Sequence, residues 1–208
     1  MDGCIIRKNF SAKDLCTLSC MQLKWFSCHP ETRPKPNSNV LMGESFQHKV
    51  AKTTDGLIGQ EMRGEYETDA LRIYFSNDIV CNDYIMEVKS VDKTREVADW
   101  YFKSSVVQCA VYKSLLMMGN GWLTTSTFFV DMGNPRINEC VNTNIDYYLL
   151  FGDEKYKVNV TNPKDIVGFI CTKAKASLDW TEAKNFDNFY KHKEYDMLQN
   201  WFNVERIN

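Results

Sequence analysis

Asp78 stands nine positions before Glu87 in the segment DIVCNDYIMEVK (residues 78–89), and Lys89 follows Glu87 by two, with apolar residues on both sides. Two carboxylates and an amine at this spacing meet if the segment folds as two strands joined by a tight connection at Asn82–Asp83. Alternate residues of a strand share a face. Glu87 and Lys89 then point one way, Met86 and Val88 the other, and the returning chain brings Asp78 towards Glu87. Carboxylates gathered at a strand end supply the hard oxygens that Mg²⁺ takes while keeping several waters. One such water can become the nucleophile of a hydrolysis. The lysine can help deprotonate or orient that water, or neutralise charge building on a phosphate. Acid-x-Lys triplets recur at Asp153/Lys155 and Glu182/Lys184, but only the one at 87–89 sits in an apolar strand with an aspartate upstream. The alternative for it is plain acid–base alternation along an exposed edge.

Two further pairs have the spacing to join this chemistry. Gln108 and Tyr112 are four apart and share a helix face, where an amide and a phenol can hold a nucleic-acid backbone and steady a metal site. Glu44 and His48 are also four apart and offer a carboxylate or an imidazole to the same metal. The alternatives are a satisfied amide, a half-buried tyrosine and a surface histidine.

The elements that must position these residues follow from periodicity. SAKDLCTLSCMQLKWFS reads as one helix with Ser11 as N-cap and Leu15, Leu18, Leu23 and Trp25 or Phe26 inward. LMGESFQHKVAK reads as a second helix with Phe46 and Val50 inward. LIGQEMRGEYET, LRIYFSNDIVC and YIMEVKSV read as strands. REVADWYFKSSVVQCAVYKSLLMMGNG is the strongest helix, with Val97, Trp100, Val107, Val111 and Leu115 inward and Gly119 ending it. TSTFFVDM, DYYLLFG and KYKVNV return to strand composition. A closing helix starts near Asp179, where Glu182 completes a D-x-x-E capping box, and runs on through FDNFYKHKEYDMLQNWF. This order implies an α/β fold with a small central mixed sheet flanked by helices.

With 208 residues, 44% of them apolar and 13% aromatic, the chain can bury one generous core and is read as a single domain. Its parts are a helical stretch over about 1–52, a core over about 53–125, and strands and a helix over about 126–208. No run of eighteen apolar residues and no signal peptide is visible, so the expectation is a cytoplasmic protein with no membrane partner. The eight cysteines (4, 16, 20, 28, 81, 109, 140, 171) read as free thiols, since C-x3-C-x7-C-H around Cys16, Cys20, Cys28 and His29 is not a zinc-finger spacing. A net charge of −2 does not announce a nucleic-acid binder. The distribution says more: residues 1–60 carry eight basic and five acidic side chains, and residues 61–100 carry five basic and ten acidic. An acidic centre suits a cation site, the alternative being a solvated face.

Asp78, the EVK triplet at 87–89 and QCAVY at 108–112, with His48 on a preceding helix, together resemble the motif set of the PD-(D/E)XK nucleases of the RecB type. That branch includes the lambda exonuclease and the CRISPR-adaptation nucleases. The resemblance spans roughly residues 10–120 and implies a restriction-endonuclease-like core. It implies that Asp78 and Glu87 ligate Mg²⁺ or Mn²⁺ with the backbone carbonyl of Val88, that Lys89 acts on the attacking water, and that Gln108 and Tyr112 face the site. His48 would be an added ligand. Because Gly43 lies five residues before His48 rather than four, Glu44 is the alternative motif-one acid, and Asp69 is the fallback for the first strand acid. The clustered C-terminal cysteines of the iron–sulfur members are missing, so no iron–sulfur cluster is expected. DNA is the implied partner, with a protein of a recombination, replication or phage-defence system as a second. The implied activity is that of a metal-dependent deoxyribonuclease acting from ends. Its rivals are a non-catalytic DNA- or protein-binding module on the same fold and a restriction-type endonuclease.

Overall fold

Residues 57–67 and 71–81 lie in long antiparallel register, from Glu67↔Arg72 at the turn to Leu57↔Cys81 at the far end, with burial alternating over 62–67 and 71–76 and continuous over 77–81. This hairpin is the spine of the molecule. The computed structural model describes residues 8–35, 38–92, 94, 96–126, 130–131, 133, 136–190 and 193–207. In chain order these residues form β1 (Lys8–Ser11), α1 (Ala12–Thr17), α2 (Cys20–Cys28), α3 (Ser38–Lys52), β2 (Leu57–Glu67), β3 (Leu71–Cys81), β4 (Tyr84–Lys89) and α4 (Asp99–Met118). They continue with β5 (Trp122–Thr125), β6 (Asn138–Cys140), β7 (Asp146–Phe151), β8 (Glu154–Val160), α5 (Pro163–Ala176), α6 (Trp180–Tyr190), α7 (Glu194–Leu198) and β9 (Phe202–Ile207).

The strands make one mixed sheet of nine, in the order β6-β5-β2-β3-β4-β7-β8-β9, with β1 added parallel to β3. The fold is therefore α/β, as expected, and the sheet is wider than the small one the sequence suggests. Its middle contains a fork. β3 and β4 pair at only two rungs, Ile79↔Met86 and Val80↔Ile85. Past them β4 continues beside β7, from Tyr84↔Asp146 to Lys89↔Phe151, while β3 continues beside β1, from Ser11↔Tyr74 to Lys8↔Leu71.

Helices cover the two faces unequally. On one face Leu71, Ile73, Phe75, Ile85, Tyr147 and Leu149 pack against α4, α1 and α5 in the main core. α4 is buried continuously from Ser105 to Leu116, as a helix with neighbours on all sides must be. Each fully buried leucine or valine there contributes about 1.5–3 kcal/mol. On the other face Ile79, Cys81, Met86 and Val88 meet Ala51, Phe46 and Val50 of α3, the two last half-buried as their spacing predicts.

Several expectations are corrected. The single helix expected over residues 11–27 is two. Ser11 caps α1, its Oγ accepting from the Asp14 amide, but Ser19 opens a second helix with a capping box: its Oγ accepts from the Gln22 amide and Gln22 Oε1 accepts from the Ser19 amide. α4 begins at Asp99, so Val97 precedes it and Trp100, in its first turn, is 70% exposed rather than inward. Gly119 does end it. Asp179 accepts from the Glu182 amide at the start of α6, yet the closing helix stops at Tyr190, and the chain ends instead as strand β9 on β8. α5, capped by Asn162 with Pro163 in its first turn, is an element the periodicity reading missed. Of the strand expected over 125–132, Thr125 closes β5, Val130 and Asp131 are helical, and residues 127–129 and 132 lie outside the described ones. The seven described cysteines are free, and Cys4 is outside the described residues. No helix among the described residues is long and apolar enough to cross a membrane.

Candidate functional site

The fork between β3 and β4 holds the residues singled out by spacing. Beyond the Ile79↔Met86 rung, Asp78 comes opposite Glu87. The Val88 amide donates to Asp78 Oδ2 at 2.8 Å, bridging the strands at the point where their ladder ends. Asp78 is 9% exposed and Glu87 only 1%. Glu87 shares a face with Lys89, whose Nζ donates to Glu87 Oε1 at 2.6 Å. From α4, Gln108 Nε2 donates to the same oxygen at 2.6 Å and to the Tyr112 hydroxyl at 3.1 Å.

Packing aims that helix face. Gly64 has no Cβ because one would sit 2.4 Å from the Phe75 ring. The ring occupies that space across the ladder and lies 5.6 Å from the ring of Tyr112, holding the phenol in line with Gln108. The chain from glycine to aromatic to amide thus fixes where Glu87 finds its neutral donor.

The electrostatics are those of crowded acids. Burial, and then the charge of Glu87, push the Asp78 carboxyl well above the usual carboxylate range, although Lys89 and the Val88 amide pull it down. Burial pulls the Lys89 ammonium down, but Glu87 and Asp78 outweigh it and hold its pKa above the ordinary lysine value. Lys89 is therefore a cation in this arrangement, suited to neutralising charge rather than taking a proton. Glu87 Oε2 is buried and has no hydrogen-bond partner among the described residues. A carboxylate oxygen left unpaired in the interior costs about 1–3 kcal/mol or more, so it points to a partner beyond the described residues.

These groups open into a cavity of about 930 Å³ bounded by α1, α3, α4 and the fork. Five carboxylates (Glu44, Glu61, Asp78, Glu87, Asp92) and two lysines (Lys13, Lys89) line it. An excess of carboxylates of this kind repels anions and attracts cations.

Glu61 is the member that sequence reasoning missed. The β2–β3 register, Gln60↔Ile79 then Met62↔Asn77, sets it opposite Asp78. Its φ of 48° lies in the left-handed region, strain of about 1 kcal/mol or more that a non-glycine residue bears where the surroundings hold it. Gln47 Nε2 donates to Glu61 Oε1 and the Ser76 hydroxyl to Oε2, both at 2.8 Å. Along the strand Glu61 is one acid among Glu61, Glu65, Glu67 and Asp69, with nothing to single it out. Only the hairpin register marks it.

The structure does not bring every proposed ligand to the cavity. His48 is exposed and its Nδ1 lies 3.0 Å from Gln60 Oε1, outside the cavity lining. α3 turns Gly43, Glu44 and Gln47 towards the site, and His48 lies one helical step past that face. Gln47, not His48, reaches in, and its Nε2 also donates to the Asp78 carbonyl at 3.4 Å. Glu44 sits exposed at the cavity rim. Asp69 is exposed at the β2–β3 turn, at the opposite end of β3 from Asp78.

No group of three or more His, Cys, Asp or Glu side chains poised for a metal is found among the described residues. The donors present still fit Mg²⁺ or Mn²⁺, because these hard ions keep several waters and bind through one or two carboxylates plus substrate phosphate. Asp78 and the unpaired Glu87 Oε2 are such a pair, beside the backbone of Val88. No protein-family model matches the chain, and no curated protein matches it either.

Proposed function

We propose that this protein is a Mg²⁺- or Mn²⁺-dependent nuclease of the PD-(D/E)XK type that hydrolyses phosphodiester bonds of DNA, acting from ends. The observation that carries the reading is the buried Oε2 of Glu87 beside Asp78, without a hydrogen-bond partner among the described residues, while Lys89 and Gln108 hold Glu87 Oε1. Asp78 and Glu87 would hold the ion with the carbonyl of Val88, and Glu61 would act from across the strand through the Gln47 and Ser76 that fix it. When bound, the ion supplies Lewis-acid activation of water and of the phosphoryl oxygens. Lys89 places a positive charge where oxygen charge develops as water attacks phosphorus and the P–O bond to the leaving group breaks. Gln108 holds Glu87 in its rotamer, and Tyr112, kept protonated by burial, orients that amide. The preference for ends over internal bonds comes from the resemblance alone.

The test is degradation of end-labelled single- and double-stranded DNA with Mg²⁺ or Mn²⁺, comparing wild type with Glu87→Ala and Lys89→Ala, and linear with closed circular substrate. Metal-dependent cleavage that both substitutions abolish supports the assignment. Cleavage surviving both undiminished refutes it, and cutting of closed circles makes the enzyme an endonuclease.

A further inference from the structure

A second concavity, of about 450 Å³, lies on the other side of α4 from the candidate site. The two share walls. On α4, Tyr101, Gln108 and Tyr112 face the acidic cavity, while Trp100, Lys103, Ser104 and Val107 face the second groove. On α1, Lys13 faces the first and Cys16 and Thr17 the second. The first turn of α4 is thus a ridge between them, topped by Trp100 and Tyr101 with ring centroids 5.9 Å apart and planes at 63°. Tyr101 is held from behind by Phe151 (5.3 Å), whereas the indole of Trp100 is 70% exposed at the groove rim.

The charge in the groove differs from that in the cavity. Two carboxylates, Glu194 and Asp196, line it against two lysines, Lys103 and Lys193; Lys103 Nζ is 2.7 Å from Asp99 and Glu194 is 2.6 Å from the buried Lys173 Nζ. The cavity carries five carboxylates against two lysines. A polyanion is repelled less from the groove than from the cavity, and it finds there a flat aromatic surface with ammonium groups beside it. An exposed indole flanked by lysines is what unstacked bases and their phosphates take.

We infer that the groove over Trp100 is a subsite for single-stranded nucleic acid, which receives the nucleotides running on from the phosphate held in the fork. Trp100 is the stacking platform, and Lys103 and Lys193 meet the phosphates. The inference rests on the nuclease reading of the neighbouring cavity and deepens it. The substrate becomes a strand several nucleotides long and unpaired on this side of the scissile bond, passing over the Trp100–Tyr101 ridge.

Binding and cleavage test it separately. Fluorescence anisotropy in Ca²⁺ measures affinity for a labelled single strand of about 12 nucleotides and for one of about three, a span set by known single-strand site sizes. Loss of one stacking base is expected to weaken the longer strand about tenfold in Trp100→Ala, to change the short one by less than about twofold, and to be largely restored in Trp100→Phe. Because the indole is exposed, the substitution leaves the core intact. Equal affinity of Trp100→Ala and wild type for the longer strand overturns the subsite, as does an equal loss on both lengths. Mg²⁺-dependent cleavage by wild type is scored in parallel. Cleavage with Trp100 irrelevant to length sinks the subsite alone, and length-dependent binding without cleavage sinks the nuclease reading while upholding the groove.

Discussion

Lys173 and Glu194 meet inside the protein at 2.6 Å, and so do Lys89 and Glu87. Lys173 is 1% exposed and its Nζ also donates to the Leu15 carbonyl at 2.7 Å, so α5 is tied to α1 and α7 through one ammonium. Glu87 instead takes two donors on one oxygen and leaves the other with none among the described residues, opposite a second acid whose pKa is driven upward. The same two side chains at the same distance therefore do different work. The Lys173 pair uses its hydrogen-bonding capacity within the chain, whereas the Glu87 pair leaves one buried oxygen open among the described residues, which is where the proposed chemistry would draw on it.

The sharpest way to break this comparison is to disable each pair and read both activity and stability. Glu87→Gln and Lys89→Ala are expected to lower metal-dependent DNA cleavage by at least about 100-fold while the protein still melts cooperatively. Retained activity would erase the distinction. Lys173→Met, which takes the buried ammonium from both the Glu194 carboxylate and the Leu15 carbonyl, is expected to cost about 3 kcal/mol, a fall in Tm of roughly 6–12 °C. A Tm within about 2 °C of wild type would show that this pair does not tie α5 to α1 and α7.

Asp78→Asn separates the two pairs more finely. In metal-free buffer the raised pKa of Asp78 opposes folding: as pH rises past the ordinary carboxyl range, the unfolded chain ionises freely while the folded one resists. Stability is thereby lost until the folded-state pKa is passed, and below the ordinary range there is no contribution. Asparagine keeps an acceptor for the Val88 amide and removes the charge. The variant is therefore expected to melt above wild type in EDTA at neutral pH, the gap closing as pH falls towards about 4, while it loses cleavage. Denaturant melts across that range check the sign, and a variant less stable than wild type at neutral pH contradicts it. The smallest effect belongs to Ser11→Ala, which removes the cap of α1 at a cost of about 1 kcal/mol. α1 carries both Lys13 at the cavity and the Leu15 carbonyl that Lys173 grips, so this loss is expected to fall to near zero in a Lys173→Met background. Additive losses would show that cap and tie act independently.

The three site strands, the long helix and the Gln108–Tyr112 face could be read from the sequence because alternation and helical spacing are local. So could the convergence of Asp78, Glu87 and Lys89, since a two-residue connection leaves few registers open. What eluded that reading depends on partners distant in the chain. Glu61 differs from Glu65 only through its pairing with Asp78. β1 and β9 are strands because β3 and β8 present free edges to them. His48 and Gln47 are adjacent on α3, and only the docking angle of that helix decides which of them reaches the site.

The connection at Asn82–Asp83 acts as the phase setting of this centre. One residue added there, with β4 still docked beside β7, would turn Val88 to the α4 side and Glu87 under α3, trading the anionic centre for a greasy one without losing a strand. The Thr68–Ala70 turn lies at the far end of β3 and does not set this phase, so the count of residues at 82–83 matters to the centre more than their identity.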